Sequence, residues 1–170
     1  MKICIVSDSH DRALPLEAAV IDAKARGAQA VVHCGDVIGA QTLRPLLRVG
    51  LPIHAIHGNN LGDAMALARL VAESDGLLHY HGGDAQLDLA GRKVFVVHYP
   101  HYGRAFAATG EWDLVCCGHS HNAEVARAPN LSGRDVWLVN PGTVAGLGGP
   151  ETYVLGDLAT MRFDVQPVPS

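Results

Sequence analysis

Short apolar runs and longer stretches of helical spacing alternate along the first half of the chain. Residues 2–8 (KICIVSD) read as a buried strand, and residues 13–27 (ALPLEAAVIDAKARG) carry apolar positions three and four apart until Gly27, which predicts a helix. AVVHCGD at 30–36 is a second strand, AQTLRPLLRVG at 40–50 a helix interrupted at Pro45, PIHAIHGN at 52–59 a third strand, and AMALARLVAESDG at 64–76 a third helix. Strands that alternate with helices predict parallel strands joined by crossovers. Beyond residue 76 the rhythm changes. LLHYHG, AQLDLAG and KVFVVHY are short strands separated by glycine-containing turns, AFAATG at 105–110 is a brief helix, and DLVCCGH at 113–119 is a strand. AEVARA, DVWLVNPG, TYVLGDLA and MRFDVQPV then alternate with period two, which predicts mostly antiparallel strands, and QPVPS reads as a frayed tail. The pattern fits an α/β fold: a four-layer α/β/β/α sandwich of two packed mixed β-sheets flanked by helices.

The 170 residues show no repeat, linker or low-complexity block, so residues 1–170 form a single expected domain, long enough to bury a core without disulfides. A formal charge of -4 with no basic run gives no general attraction for a polyanion or an anionic membrane, which disfavours nucleic acid as a partner. The first apolar run is too short for a signal peptide or a membrane span, and the expected location is cytoplasmic. Cys4, Cys34, Cys116 and Cys117 lie in or beside apolar stretches without framework spacing, as free buried thiols in a reducing compartment would.

Ten histidines are an excess for this length, and several of them end predicted strands together with carboxylates and an amide. Strand one ends in SDSH (Asp8, His10), strand two in CGD (Asp36), strand three in HGNN (Asn59), KVFVVHY in His98, and DLVCCGHSH in His119 and His121. Ligands of open α/β sheets bind at the carboxyl ends of strands. Taken singly, Asp8 and Asp36 could cap helices, Asn59 could serve a turn, and His119 and His121 could be loop residues. Taken together, two carboxylates, one amide and four imidazoles are a donor set for two divalent cations. The carboxylates and amide oxygen suit manganese or magnesium; the imidazoles suit zinc, iron or nickel. A single Cys2His2 zinc site in CCGHSH (116–121) is the competing metal reading, but adjacent strand residues face opposite sides, so both sulfurs can hardly reach one ion.

The ordered motifs DSH at 8–10, GD at 35–36, GN at 58–59, His98 and GHSH at 118–121 resemble the calcineurin-like metallophosphoesterases. The short chain and the NPGT of Asn140–Thr143 resemble the small bacterial and archaeal phosphodiesterase branch that also contains the retromer subunit VPS29. The resemblance implies that Asp8, His10 and His121 hold one metal, that Asn59, His98 and His119 hold the other, and that Asp36 bridges them. Manganese leads among the two expected ions, with zinc, iron, nickel or magnesium as alternatives. The resemblance implies hydrolysis of a small phosphodiester by a hydroxide bridging the two metals, with Asp36 and Asn59 in the catalytic set, to which a departure from the family pattern adds His101. Asn140 is expected to steady the metal-binding loops.

Two motifs depart from the family. Relatives place a histidine or cysteine after GN, whereas Asn60 stands here and cannot act as a general acid. The fourth motif reads HYPHYGR (98–104), in which Pro100 restricts Tyr99 to an extended backbone and redirects the loop, leaving His101 as the acid or phosphate contact. Arg104 reads as a solvated helix residue, and His33, His54, His57, His79 and His81 have no place in the motif set. The sequence lacks the GDxxDRG and GNHE signatures of serine/threonine phosphatases, so a diester with a good leaving group is the expected substrate. The alternative is a VPS29-like protein-binding scaffold of weak activity. A homo-oligomer is compatible with either reading.

Overall fold

The computed structural model describes residues 1–170. The first sheet has the order β11-β10-β1-β2-β3-β4, formed by β1 (Lys2–Val6), β2 (Ala28–His33), β3 (Ile53–Ala55), β4 (Leu78–Tyr80), β10 (Thr152–Asp157) and β11 (Arg162–Pro167). The second has the order β5-β6-β7-β9-β8, formed by β5 (Asp84–Leu89), β6 (Arg92–Val97), β7 (Leu114–Cys116), β8 (Ala123–Ala128) and β9 (Val136–Pro141). Strands β1 to β4 are parallel, as the crossover pattern predicts, and β10 and β11 are antiparallel additions on the other side of β1. In the second sheet β6, β7 and β9 run parallel, with β5 and β8 antiparallel at the edges.

Each sheet is covered on both faces, so β1 is apolar on both sides. Ile3 and Ile5 meet Leu87, Val94, Val96, Leu114 and Val139 in the core between the sheets. Cys4 and Val6 point the other way, into a core shared with helices α1 (Ala13–Ala25), α2 (Arg44–Val49) and α3 (Ala64–Glu73). Helix α1 is held there by Leu16, Ala19, Val20 and Ala23, a stripe at helical spacing. Helix α4 (Pro100–Thr109) covers the outside of the second sheet, where Ala107 joins Phe95, Val97, Val115, Cys117, Val136 and Leu138. The layers are therefore helix, sheet, sheet, helix, and the α/β/β/α expectation holds. No helix is long and apolar enough to cross a membrane.

Three local readings need correction. Pro45 does not interrupt a helix: a short 3₁₀ turn at Ala40–Thr42 precedes it, and Pro45 sits in the first turn of α2, where its missing N–H has no partner to lose. Pro100 likewise starts α4, so the helix covers HYGR and is longer than the AFAATG stretch; Tyr99 is the extended N-cap residue that the proline demands. The expected tail is shorter, because Gln166 and Pro167 pair with Tyr153 and Thr152 in β11.

Candidate metal centre

The seven predicted donors sit just beyond the carboxyl ends of β1, β2, β3, β6 and β7, at one end of the sandwich. Asp8, His10, Asp36 and Asn59 come from the first sheet; His98, His119 and His121 come from the second. Asp8, Asp36 and His98 are buried, with His10 and His121 partly exposed. Asp36 lies between two clusters: its Oδ2 is 3.7 Å from His10 Nε2 and its Oδ1 is 3.4 Å from His98 Nε2. On one side His121 Nε2 stands 3.2 Å from both Asp8 Oδ1 and His10 Nε2. On the other, Asn59 Oδ1 stands 3.1 Å from His98 Nε2 and 2.9 Å from His119 Nδ1. In the groups Asp8, His10, His121 and Asp8, Asp36, His98 the donor atoms all lie within 4.8 Å of one another.

The hydrogen bonds on the far side of the rings decide what these atoms can do. His98 Nδ1 faces the Cys34 carbonyl at 2.8 Å, and His121 Nδ1 faces the Leu147 carbonyl. A carbonyl only accepts, so each Nδ1 carries the proton and each neutral ring directs its Nε2 lone pair inward. Asp8 Oδ2 accepts the backbone N–H of His119 at 2.9 Å, whereas the buried Asp8 Oδ1 has no hydrogen-bond partner. Inward lone pairs on His98, His121, Asn59, Asp36 and Asp8 repel one another unless a proton or a cation sits among them. Two donors each about 2.1 Å from one cation, at right angles, stand about 3.0 Å apart. The observed separations, 2.9 to 3.7 Å, fit that requirement with little adjustment.

The loops carrying the donors are shaped for them at some conformational expense. Asp8, His10, Asp36, His119 and His121 all have positive φ, between 42° and 66°, a left-handed backbone that non-glycine residues seldom adopt. Backbone hydrogen bonds impose it: Asp8 N donates to Gly35 O, His10 N to Asp36 O, and Gly118 N to His98 O. Two motif glycines are required by close approach. A Cβ at Gly58 would lie 2.1 Å from Asp36 Oδ1, and one at Gly118 would lie 1.9 Å from Ser7 Oγ. The buried Asn140 side chain donates to Gly118 O and Ser120 Oγ and accepts from Gly142 N, tying the NPGT turn to the GHSH loop. Thr143 Oγ1 donates to the Asp8 carbonyl, and Asp11 accepts from Gly39 N and Thr42 Oγ1 across the first two loops.

Asn60 has a job that the sequence did not reveal. Its backbone N–H and side-chain amide donate to the two Asp36 oxygens at 2.9 and 2.6 Å. Burial raises the Asp36 carboxyl, but these two bonds, with His98 and His10 nearby, outweigh it and hold the group below the usual carboxylate range. His33, at the end of β2, is likewise part of the support. Gly35 N–H donates to its Nδ1 at 3.2 Å, so the proton sits on Nε2 and is shared with Ser9 Oγ at 3.0 Å. Burial, reinforced by His98, lowers its pKa to about 3. The signal available for His33 was a polar residue inside an apolar strand; for Asn60 there was none.

His101 is exposed in the first turn of α4, its ring 4.2 Å from that of Tyr102, and it makes no hydrogen bond to the seven donors. Arg104 pairs with Glu124 on the surface at 3.1 Å. Cys116 joins the core between the sheets and Cys117 the core under α4, so the two sulfurs do diverge and neither belongs to the donor set. All four cysteines are free and buried. His54, His79 and His81 stack on one another at the β3–β4 edge, apart from the site.

The calcineurin-like phosphoesterase superfamily domain model matches residues 1–161. The phosphodiesterase MJ0936 of Methanocaldococcus jannaschii is 25% identical over 150 residues, covering 86% of each chain. Among solved structures, a novel archaeal phosphodiesterase superposes with a TM-score of 0.88 at 24% identity, over 98% of this chain and 99% of the other. Vps29 of Chaetomium thermophilum superposes with a TM-score of 0.65 at 17% identity, over 98% and 95%. The last two likenesses speak to fold, and the fold they share is the two-sheet sandwich described above.

Proposed function

Because the chain belongs to the calcineurin-like phosphoesterase superfamily, we propose that it is a phosphodiesterase that hydrolyses a small phosphodiester at a centre of two divalent cations, manganese foremost. The observation that carries this reading is the convergence of inward lone pairs around Asp36, with His98 and His121 locked by carbonyls into the tautomer a metal requires. The 25% identical phosphodiesterase supports the diester as substrate class.

When bound, the cations supply Lewis acidity to the phosphoryl oxygens and a hydroxide nucleophile near neutral pH. Asp8, His10 and His121 would hold one ion and Asn59, His98 and His119 the other, with Asp36 shared. The ligand set returns only two negative charges, from Asp8 and Asp36, so the loaded site stays positive and draws an anionic diester despite the acidic chain. Asn60 holds the Asp36 carboxylate ionised and oriented. It has no proton to give a departing alkoxide. We assign that task, or a contact to the phosphate, to His101, which stands exposed at the start of α4. A weak acid at this position favours esters whose leaving group needs little protonation.

The test is turnover of bis(p-nitrophenyl) phosphate by protein loaded separately with manganese, zinc, iron, nickel and magnesium, with metal content measured in parallel. Two ions per chain and turnover are expected, and Asp36→Asn should lose both. Absence of turnover with every metal would overturn the hydrolase reading. His101→Ala should lower kcat more for an alkyl than for a nitrophenyl leaving group; equal effects on both would remove its role as acid.

A further inference from the structure

The metal centre shares two residues with a cavity beside it. His98 and Gly58, which belong to or adjoin the donor set, also line a cleft of about 400 Å³ whose other walls are Phe95, Tyr99, Tyr102 and Phe106. A volume of this order is within the range of small-molecule sites. The aromatic residues come from two elements. Phe95 rises from β6 as a buried floor, Tyr102 and Phe106 lie four apart on one side of α4, and Tyr99 is its N-cap residue. Tyr102 is 51% exposed and Phe106 38%, although Gly103 and Ala107 on the same helix are buried against the sheet. That side of the helix is therefore turned into the cleft, away from the core. Phe106 and Phe95 rings are 4.0 Å apart, and Tyr99 lies edge-on to both His119, at 4.6 Å, and Tyr102.

The polar character of the cleft narrows its occupant. Asp84, at the start of β5, is its one carboxylate; the imidazoles of His57 and His98 also line it, and it has no lysine or arginine. A second phosphate would meet a carboxylate and no lysine or arginine there, whereas a neutral ring with N–H donors would find aromatic faces to stack on and a carboxylate to accept its hydrogen bonds. We propose that this cleft is the ester-group subsite, and that it selects phosphate esters carrying an amino-bearing nucleobase or a like heteroaromatic ring, seated between the α4 aromatics and Asp84 while the phosphate lies on the metal centre. The proposal rests on the phosphoesterase reading of that centre.

Direct binding separates the two. Adenosine 5′-monophosphate and ribose 5-phosphate share the phosphate and the sugar and differ in the ring, so their dissociation constants, measured by calorimetry on the metal-loaded protein, give a ratio that reports the cleft. The ratio should favour the nucleotide by about tenfold or more, the effect of stacking one base on an aromatic surface. Tyr102→Ala should bring it toward one. Gly83→Leu provides a variant of the opposite kind. A Cβ at Gly83 would meet only His57 Nε2, at 3.7 Å, and this glycine does not have positive φ, so a leucine there fills the cleft without straining the fold. It too should bring the ratio toward one. A ratio near one in the unmodified protein, or one unchanged in both variants, overturns the subsite. Failure of bis(p-nitrophenyl) phosphate turnover overturns the hydrolase reading instead, whatever the binding ratio.

Discussion

Lowering the pH from 7 to 5 should destabilise the metal-free protein through His33 by about 2 kcal/mol. The buried His33 ring accepts the Gly35 N–H on Nδ1 and donates from Nε2 to Ser9, so a second proton has no acceptor and displaces a donor. Burial lowers its pKa to about 3, against about 6.5 in an unfolded chain. Between these values the unfolded state binds the proton and the native state does not. Stability is therefore complete above the unfolded pKa and falls as pH drops through it. At pH 5 about 1.5 units of that interval have been crossed, at about 1.4 kcal/mol per unit. The assay is urea unfolding at pH 7 and pH 5, in the presence of a chelator, for the unmodified chain and for His33→Gln. Groups remote from His33 are common to both proteins and cancel in the comparison. The unmodified chain should lose about 2 kcal/mol more than the variant. Losses that agree within about 0.5 kcal/mol, the scatter expected for independent effects, would refute the assignment of a neutral, doubly bonded His33.

Asn60→Ala removes the side-chain bond to Asp36 Oδ2 and leaves the backbone one. Metal affinity should fall by about 10- to 100-fold, measured by calorimetric titration with manganese, while the fold is unchanged by circular dichroism. Gly58→Ala sets a methyl group 2.1 Å from Asp36 Oδ1 and 2.7 Å from His98 Nε2. Moving those donors apart should abolish tight binding of metal and lower unfolding stability by about 1–3 kcal/mol, and binding that survived intact would show that the loops are softer than their hydrogen bonding implies.

The convergence of the candidate donors was legible because they follow apolar runs: Asp8 after KICIV, Asp36 after AVVHC, His98 after KVFVV. A strand end is a fixed place in an α/β sandwich, so a polar residue there can be assigned a position without coordinates. The Cys116 and Cys117 assignment rested on the same period-two logic and was correct for the same reason. What supports the donors was not legible. The carbonyls that set the tautomers of His98 and His121 belong to Cys34 and Leu147, 64 and 26 residues away, and a backbone carbonyl leaves no trace in sequence. The start of α4 was missed for a different reason. Pro100 in sequence suggests a redirected loop, whereas a proline is equally at home in a first helical turn, and only the packing of Gly103 against Leu138 and Val115 decides between them.

The division of the donors between the sheets gives the site a mechanical meaning. The second sheet is an excursion of the chain between β4 and β10, and the first sheet holds the segments on either side of it. Four donors ride on one slab and three on the other, so any ion they share is a rivet driven through the seam at one end of the sandwich. Without it the slabs adhere by apolar contact along their length; with it, one end is pinned and sliding or splaying must pivot there. Cation supply would then set how freely the halves breathe, and the opposite end, around the end of β8 and the starts of β6 and β7, is where hydrogen exchange should stay fastest once the rivet is in place.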